Sequence, residues 1–174
     1  MTANNELTIR RVTEEDVEAL IELRLEALRN HPVAFSADYE KERDRSLQDW
    51  KKRIARSVIF VAWDGDSAAG MATFLRGASS KTSYHGNIFG VYVRPGYRGH
   101  GLGGRLVDRC VQWARDNDIP MVYIGAAATN TAAIRCYTRC GFRVYGLQPM
   151  AVKVAGIFYD ELLMARDLER ARCG

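Results

Sequence analysis

The chain has 174 residues, 47% of them hydrophobic, and a formal net charge of +4. That length suits one domain, residues 1–174, able to bury about two-thirds of its unfolded surface. The basic excess is interleaved with acids, as in Glu14-Glu15-Asp16 and Lys41-Glu42-Arg43-Asp44-Arg45, so it reads as a solvated mixed surface rather than a patch for nucleic acid or membrane.

No helix-turn-helix or ribonucleoprotein motif can be placed, and no run approaches the ~20 apolar residues that span a bilayer. The first residues, Met1-Thr2-Ala3-Asn4-Asn5-Glu6-Leu7-Thr8, lack an apolar signal core, so a cytoplasmic protein is expected. Cys110, Cys136, Cys140 and Cys173 form no Cys-x-x-Cys pair, and no histidine pairs with them to suggest a metal. Buried free thiols are the simplest reading.

Residues 7–12 alternate like a strand. Thr13 reads as an N-cap, with Glu14, Glu15 and Asp16 in the first turn, and Val17, Leu20, Ile21, Leu25 and Leu28 make a helical apolar stripe. His31-Pro32 ends that helix, since proline disfavours a helical residue before it. A second helix is predicted over 47–55, capped by Ser46. Residues 58–63 read as a buried strand, Asp64-Gly65-Asp66-Ser67 as a hairpin turn, and 69–76 as the returning strand. A loop over 77–81 leads to a long strand, 83–93. Helix 101–117, strand 120–126, helix 130–140 and a hairpin of 144–154 with 157–165, turning at Ala155-Gly156, complete the chain. Strands alternating with helices, with no linker or repeat, predict an α/β sheet covered on both faces.

The most informative stretch is Arg98-Gly99-His100-Gly101-Leu102-Gly103-Gly104, between the long strand and a helix whose apolar face carries Leu106, Cys110, Trp113 and Ala114. First-turn amides have no intrahelical partner, and the helix dipole adds positive charge at that end. Glycine lets a bulky anion approach the backbone, so the loop is built for phosphate or pyrophosphate. A nucleoside-triphosphate loop would need Lys-Ser/Thr, which is missing. Gly99-x-Gly101-x-x-Gly104 matches the dinucleotide fingerprint, but no acidic residue ends the next strand, Met121-Val122-Tyr123-Ile124.

Arg98-x-x-Gly101-x-Gly103 resembles the pyrophosphate loop of the GCN5-related N-acetyltransferases (GNAT). A second segment supports the resemblance: Asn130, Ala133, Tyr137 and Gly141-Phe142 stand where that family carries Asn, Ala, Tyr and Gly-Phe. The likeness runs over residues 7 to 168. It implies a GNAT-type α/β fold: a mixed, mostly antiparallel twisted sheet with helices on both faces and a splayed central strand pair.

The resemblance also implies the chemistry, acetyl transfer from acetyl-CoA to a primary amine by direct attack in a ternary complex. Arg98, Gly99, His100, Gly101, Leu102, Gly103 and Gly104 would meet the pyrophosphate. Backbone amides along Val91, Tyr92 and Val93 would hold the pantetheine and the thioester carbonyl. Asn130, otherwise a helix N-cap, would touch the cofactor, and Tyr137 would return a proton to the leaving thiolate. The family's glutamate base has no counterpart, because the matching position holds Asn87. His85 ranks first as a substitute, ahead of Asp38, Glu40, Asp160, Glu161 and bulk water acting on a partly neutral amine, because imidazole titrates in the useful range. The acceptor is expected against Phe35, Tyr39 and Asp160. It is read as a small-molecule amine, with a protein N-terminus or lysine as the alternative, and a homodimer is an assembly that the family allows. A non-catalytic acetyl-CoA sensor is the rival from another class.

Overall fold

The structure, a computed structural model, describes residues 7–169. In chain order the elements are β1 (Thr8–Arg11), α1 (Val17–Asn30), α2 (Tyr39–Arg43), α3 (Leu47–Arg56), β2 (Val58–Asp64), β3 (Ser67–Arg76), β4 (His85–Val93), α4 (Leu102–Asp116), β5 (Met121–Ala127), α5 (Thr131–Arg139), β6 (Arg143–Val154) and β7 (Ile157–Asp167). Short 3-10 turns at Glu14–Asp16, Pro32–Ala34 and Pro95–Tyr97 join some of them. Cys173 lies outside the described residues.

Seven strands form one sheet in the order β1-β2-β3-β4-β5-β7-β6. Every neighbouring pair is antiparallel except β4 and β5. The period-two alternation of β2 shows why both faces are covered. Val58, Phe60 and Ala62 enter one core with Leu106, Val107 and Cys110 of α4; Ile59, Val61 and Trp63 enter the other with Leu23 of α1 and Trp50 of α3. Trp50 and Phe74 anchor the two cores and are almost fully buried; truncating either to alanine would cost about 3–5 kcal/mol.

Local signals set the helix boundaries. Asp16 accepts hydrogen bonds from the Thr13 backbone N–H (2.8 Å) and from both Arg10 guanidinium nitrogens (2.7 Å each), which closes the entry to α1. Ser46 Oγ accepts from Asp49 N–H at 3.1 Å and starts α3. The five-residue helix α2 lies where the sequence shows no apolar periodicity. It is held by the burial of Glu42 among arginines, a charge contact between distant segments. Among the described residues no helix is long and apolar enough to cross a membrane.

The feature that shapes the site lies in β4. Met71 pairs with Tyr92 and Thr73 with Phe89, so Ala72 alone stands against Gly90 and Val91. This is a β-bulge, and Gly90 takes φ +65°, a left-handed conformation that favours glycine. The parallel pairing of β4 with β5 stops at Ile88 and Ile124, just before the bulge. Beyond that point the two strands part, as expected for a splayed pair.

Candidate active site

Where β4 and β5 separate, a cleft of about 1080 Å³ opens. Its walls come from the β4 bulge, the glycine loop, the first turns of α4 and α5, the turn at Pro32–Ala34, and the β6–β7 hairpin.

The glycine loop forms one end. Gly101 is the α4 N-cap at φ +76°, and Gly99 has φ +84°. A Cβ on either would meet nothing within 4 Å, so the space before them is open. Side chains would fill that space, and the first-turn amides of α4 would lose access to it. The loop therefore fits an extended phosphate group: unpaired amides, the positive end of a 15-residue helix and free room converge there.

Arg98 is exposed at this mouth. It donates through Nε to the Val93 carbonyl at 2.8 Å, and its Nη2 meets His31 Nε2 at 2.8 Å. Burial and the nearby Arg98 charge lower the His31 pKa, so the neutral imidazole acts as the acceptor. The Val93 carbonyl thus faces the loop rather than β3. A strand residue's N–H and C=O point to the same side, so the Val93 amide also faces the cleft. The Arg94 amide bonds the other way, to Ala69 of β3.

The remaining cofactor candidates divide in two. Val91, Val93, Leu102, Gly103, Gly104 and Asn130 line the cleft. The Asn130 side-chain carbonyl accepts from Ala133 N–H at 3.1 Å, so it caps α5 and leaves its amide donors over. Tyr92 lines the cleft but turns its hydroxyl to Glu26, at 2.8 Å. His100 is exposed and is not among the lining residues.

Tyr137 lies in α5, 6% exposed, at the cleft wall. Burial, reinforced by Cys136, Cys140 and Glu161 nearby, pushes its pKa upward, so the phenol keeps its proton. His85 stands at the far end of β4, paired with Met121 before the strands part, and does not line the cleft. Its ring packs edge-on to Tyr84 and Tyr123, with Nδ1 buried and unpaired. Asn87, two residues on, is exposed.

Glu161 of β7, unlike His85, stands in the cleft wall. It pairs with Ala127, lines the cleft, and is half-buried, and burial raises its carboxyl pKa. The sequence signal is faint, since Glu161 is one of three acids, with Asp160 and Asp167, in a hairpin of mixed residues; the β5–β7 register brings it beside the point of separation. Phe35 is buried at the cleft wall. Asp160 lies at the rim and accepts from the Met150 amide at 2.9 Å, bracing β6. Tyr39 is not a wall residue; its ring packs under Arg29, which also hydrogen-bonds its hydroxyl. Sequence reading passed over Arg24, which sits 6% exposed at the wall.

Residues 18–142 match the acetyltransferase (GNAT) family. The L-amino acid N-acyltransferase MnaT of Escherichia coli K12 is 26% identical over 168 residues, covering 94% of this chain and 95% of that protein. The mycothiol acetyltransferase of Catenulispora acidiphila is 29% identical over 131 residues, 73% of this chain, which spans only 40% of that longer protein. Among solved structures, the Salmonella typhimurium protein yncA, determined with its cofactor acetyl-CoA, aligns with a TM-score of 0.78 and 25% identity, covering 94% of each chain. With a splayed sheet, an open glycine loop at the start of α4 and a matched family pattern over most of its length, the chain belongs to the GNAT family of acetyltransferases.

Proposed function

We propose that this protein transfers the acetyl group of acetyl-CoA to the primary amine of a small molecule, by direct attack within a ternary complex. The observation that carries the reading is the shared cleft: an anion-binding loop at one end, and a buried phenol and a carboxyl of raised pKa in its walls.

Acetyl-CoA supplies an activated thioester. The α4 amides and Arg98 bind its pyrophosphate, and the β4 amides at Val91 and Val93 orient its arm and polarise the carbonyl. Donors placed for a developing oxyanion lower the barrier by about 3–4 kcal/mol in other acyl-transfer sites. Glu161 takes the amine proton, directly or through one water, in place of the His85 first expected. A carboxylate of raised pKa is a stronger base than an ordinary one. The amine nitrogen bonds to the carbonyl carbon, the carbon–sulfur bond breaks, and Tyr137 Oη gives its proton to the departing sulfur. Phe35 forms an apolar wall for the acceptor, and Asp160 marks its entrance.

A small molecule is favoured over a protein acceptor because the turn at Pro32–Ala34 packs against β5 and β6, roofing the amine side. We place the reaction in the cytoplasm, where the thioester is drawn. A homodimer is proposed through β6, one of the sheet's two edge strands, which exposes Val144, Tyr145 and Leu147; light scattering would show it.

The test is thiol release from acetyl-CoA across amino acids, polyamines, aminoglycosides and peptides. Turnover with a small amine supports the proposal. Turnover with peptides alone moves the acceptor to proteins. Acetyl-CoA binding without any turnover supports the sensor.

A further inference from the structure

Arg24 is a buried cation with too little negative charge around it. It projects from α1, is 6% exposed, and its guanidinium lies over the Phe35 ring at 5.0 Å. Its nearest carboxylate is Glu42, with Nε to Oε2 at 3.7 Å, beyond hydrogen-bond distance. Both Glu42 oxygens are already taken at shorter range, by Arg53 at 2.8 and 3.1 Å and by Arg45 at 3.0 Å. One buried carboxylate therefore serves three guanidinium groups. Arg24 Nε has no hydrogen-bond partner at all. Burial and the neighbouring Arg53 lower its pKa to about 10, so it remains charged at neutral pH.

A buried guanidinium that shares its single carboxylate with two others and leaves Nε without a hydrogen bond is costly unless a ligand completes it. The position of Arg24 says which ligand. It lines the cleft, and a Cβ on Gly90 would come within 3.2 Å of Nη1, so the guanidinium lies against the bulge where β4 leaves β5. That is the proposed acetyl-transfer point, reached from the α1 side, whereas the glycine loop lies at α4.

We infer that Arg24 is a specificity residue that receives a carboxylate carried by the acceptor amine. The inference rests on the acetyltransferase reading above and names its substrate class: amines that bear a carboxylate, such as amino acids. The planar guanidinium can offer two parallel N–H donors to a carboxylate. Glu161, in the β7 wall, then meets the ammonium end of the same zwitterion.

The experiment compares L-amino acids with their primary amides as acceptors, and separately measures acetyl-CoA binding by calorimetry. In the wild-type protein the carboxylates should exceed the matched amides in kcat/KM by roughly 10-fold or more. Arg24→Gln should raise KM for the carboxylates by about 10- to 100-fold, with little change for the amides or in acetyl-CoA affinity. Arg24→Lys should recover part of the loss, which a purely structural role would not produce. If the Arg24 variants do not fold, the wild-type ratio decides alone. Equal use of acids and amides, or turnover of neutral amines only, overturns the inference and leaves the acetyltransferase standing. Acetyl-CoA binding with no turnover of any amino acid also overturns it. Absence of acetyl-CoA binding overturns both.

Discussion

The Glu161 carboxylate lies directly against Gly125: a Cβ on that glycine would stand 2.5 Å from Oε1. The β5–β7 register sets this contact. Glu161 is opposite Ala127, and Gly125 is its diagonal neighbour on the same face. Only a residue without a side chain leaves the carboxylate room beside the point where β4 and β5 part. Gly125→Ala should therefore displace Glu161 without harming the fold, because the clash falls on the free end of a flexible side chain. Turnover should drop by about tenfold or more, while the thermal midpoint and acetyl-CoA affinity stay near wild type. Unchanged turnover would remove Glu161 from the chemistry.

Glu161 also predicts a pH profile. Burial raises its pKa above the ordinary carboxylate range. A base works only when deprotonated, so kcat should rise with pH as Glu161 ionises, with a midpoint above that of an ordinary glutamate. Glu161→Gln should flatten that limb and lower kcat by about 10²- to 10⁴-fold. His85→Gln should leave the limb in place, since His85 stands outside the cleft walls. The reverse pattern would return the role to His85.

Gly101→Val tests the loop. The residue sits at φ +76° with open space before it. A left-handed conformation costs a branched side chain about 1–2 kcal/mol, and the new atoms would occupy the room proposed for the pyrophosphate. Acetyl-CoA affinity measured by calorimetry should fall by well over tenfold, with the loss in binding exceeding the loss in stability. Affinity close to wild type would move the anion site elsewhere.

Local features of the site were legible in the chain itself, and long-range ones were not. The strand, glycine loop and helix over residues 83–117 follow from turn chemistry and apolar periodicity among near neighbours. The Asn130 cap and the placement of Tyr137 in the α5 wall follow likewise. Glu161 depends on the pairing of β7 with β5, and Arg24 on the meeting of α1 with α2 and α3. No local pattern encodes either. His85 was favoured because imidazole has a convenient pKa, a property of the residue type alone. Its position, three residues before the end of the β4–β5 pairing, removes it from the cleft.

Tyr137→Phe separates the proposed proton donor from the cofactor site. The phenol is buried and its pKa is raised, so it is held protonated across the working range. Removing the hydroxyl should lower kcat by about 10- to 100-fold, with the acetyl-CoA dissociation constant unchanged. The packing of the ring should be kept, so stability should hold. An acceptor-independent loss of acetyl-CoA binding would instead mark Tyr137 as a structural wall residue.

Asp16 predicts an acid-sensitive entry to α1. The Arg10 guanidinium, with help from the Thr13 backbone N–H, lowers its pKa from 3.8 to about 2. A carboxylate with a depressed folded-state pKa stabilises the fold above its unfolded value, and that contribution disappears as pH falls through the folded one. The window here runs from 3.8 down to about 2. Arg10 is 50% exposed, so solvent screens the pair, and a contribution of about 1 kcal/mol at neutral pH is expected. Urea unfolding of Asp16→Asn should show that loss at neutral pH, and the gap from wild type should close as the pH falls through the same window. A gap that persists in acid would assign the effect to the lost carboxylate hydrogen-bond geometry rather than its charge.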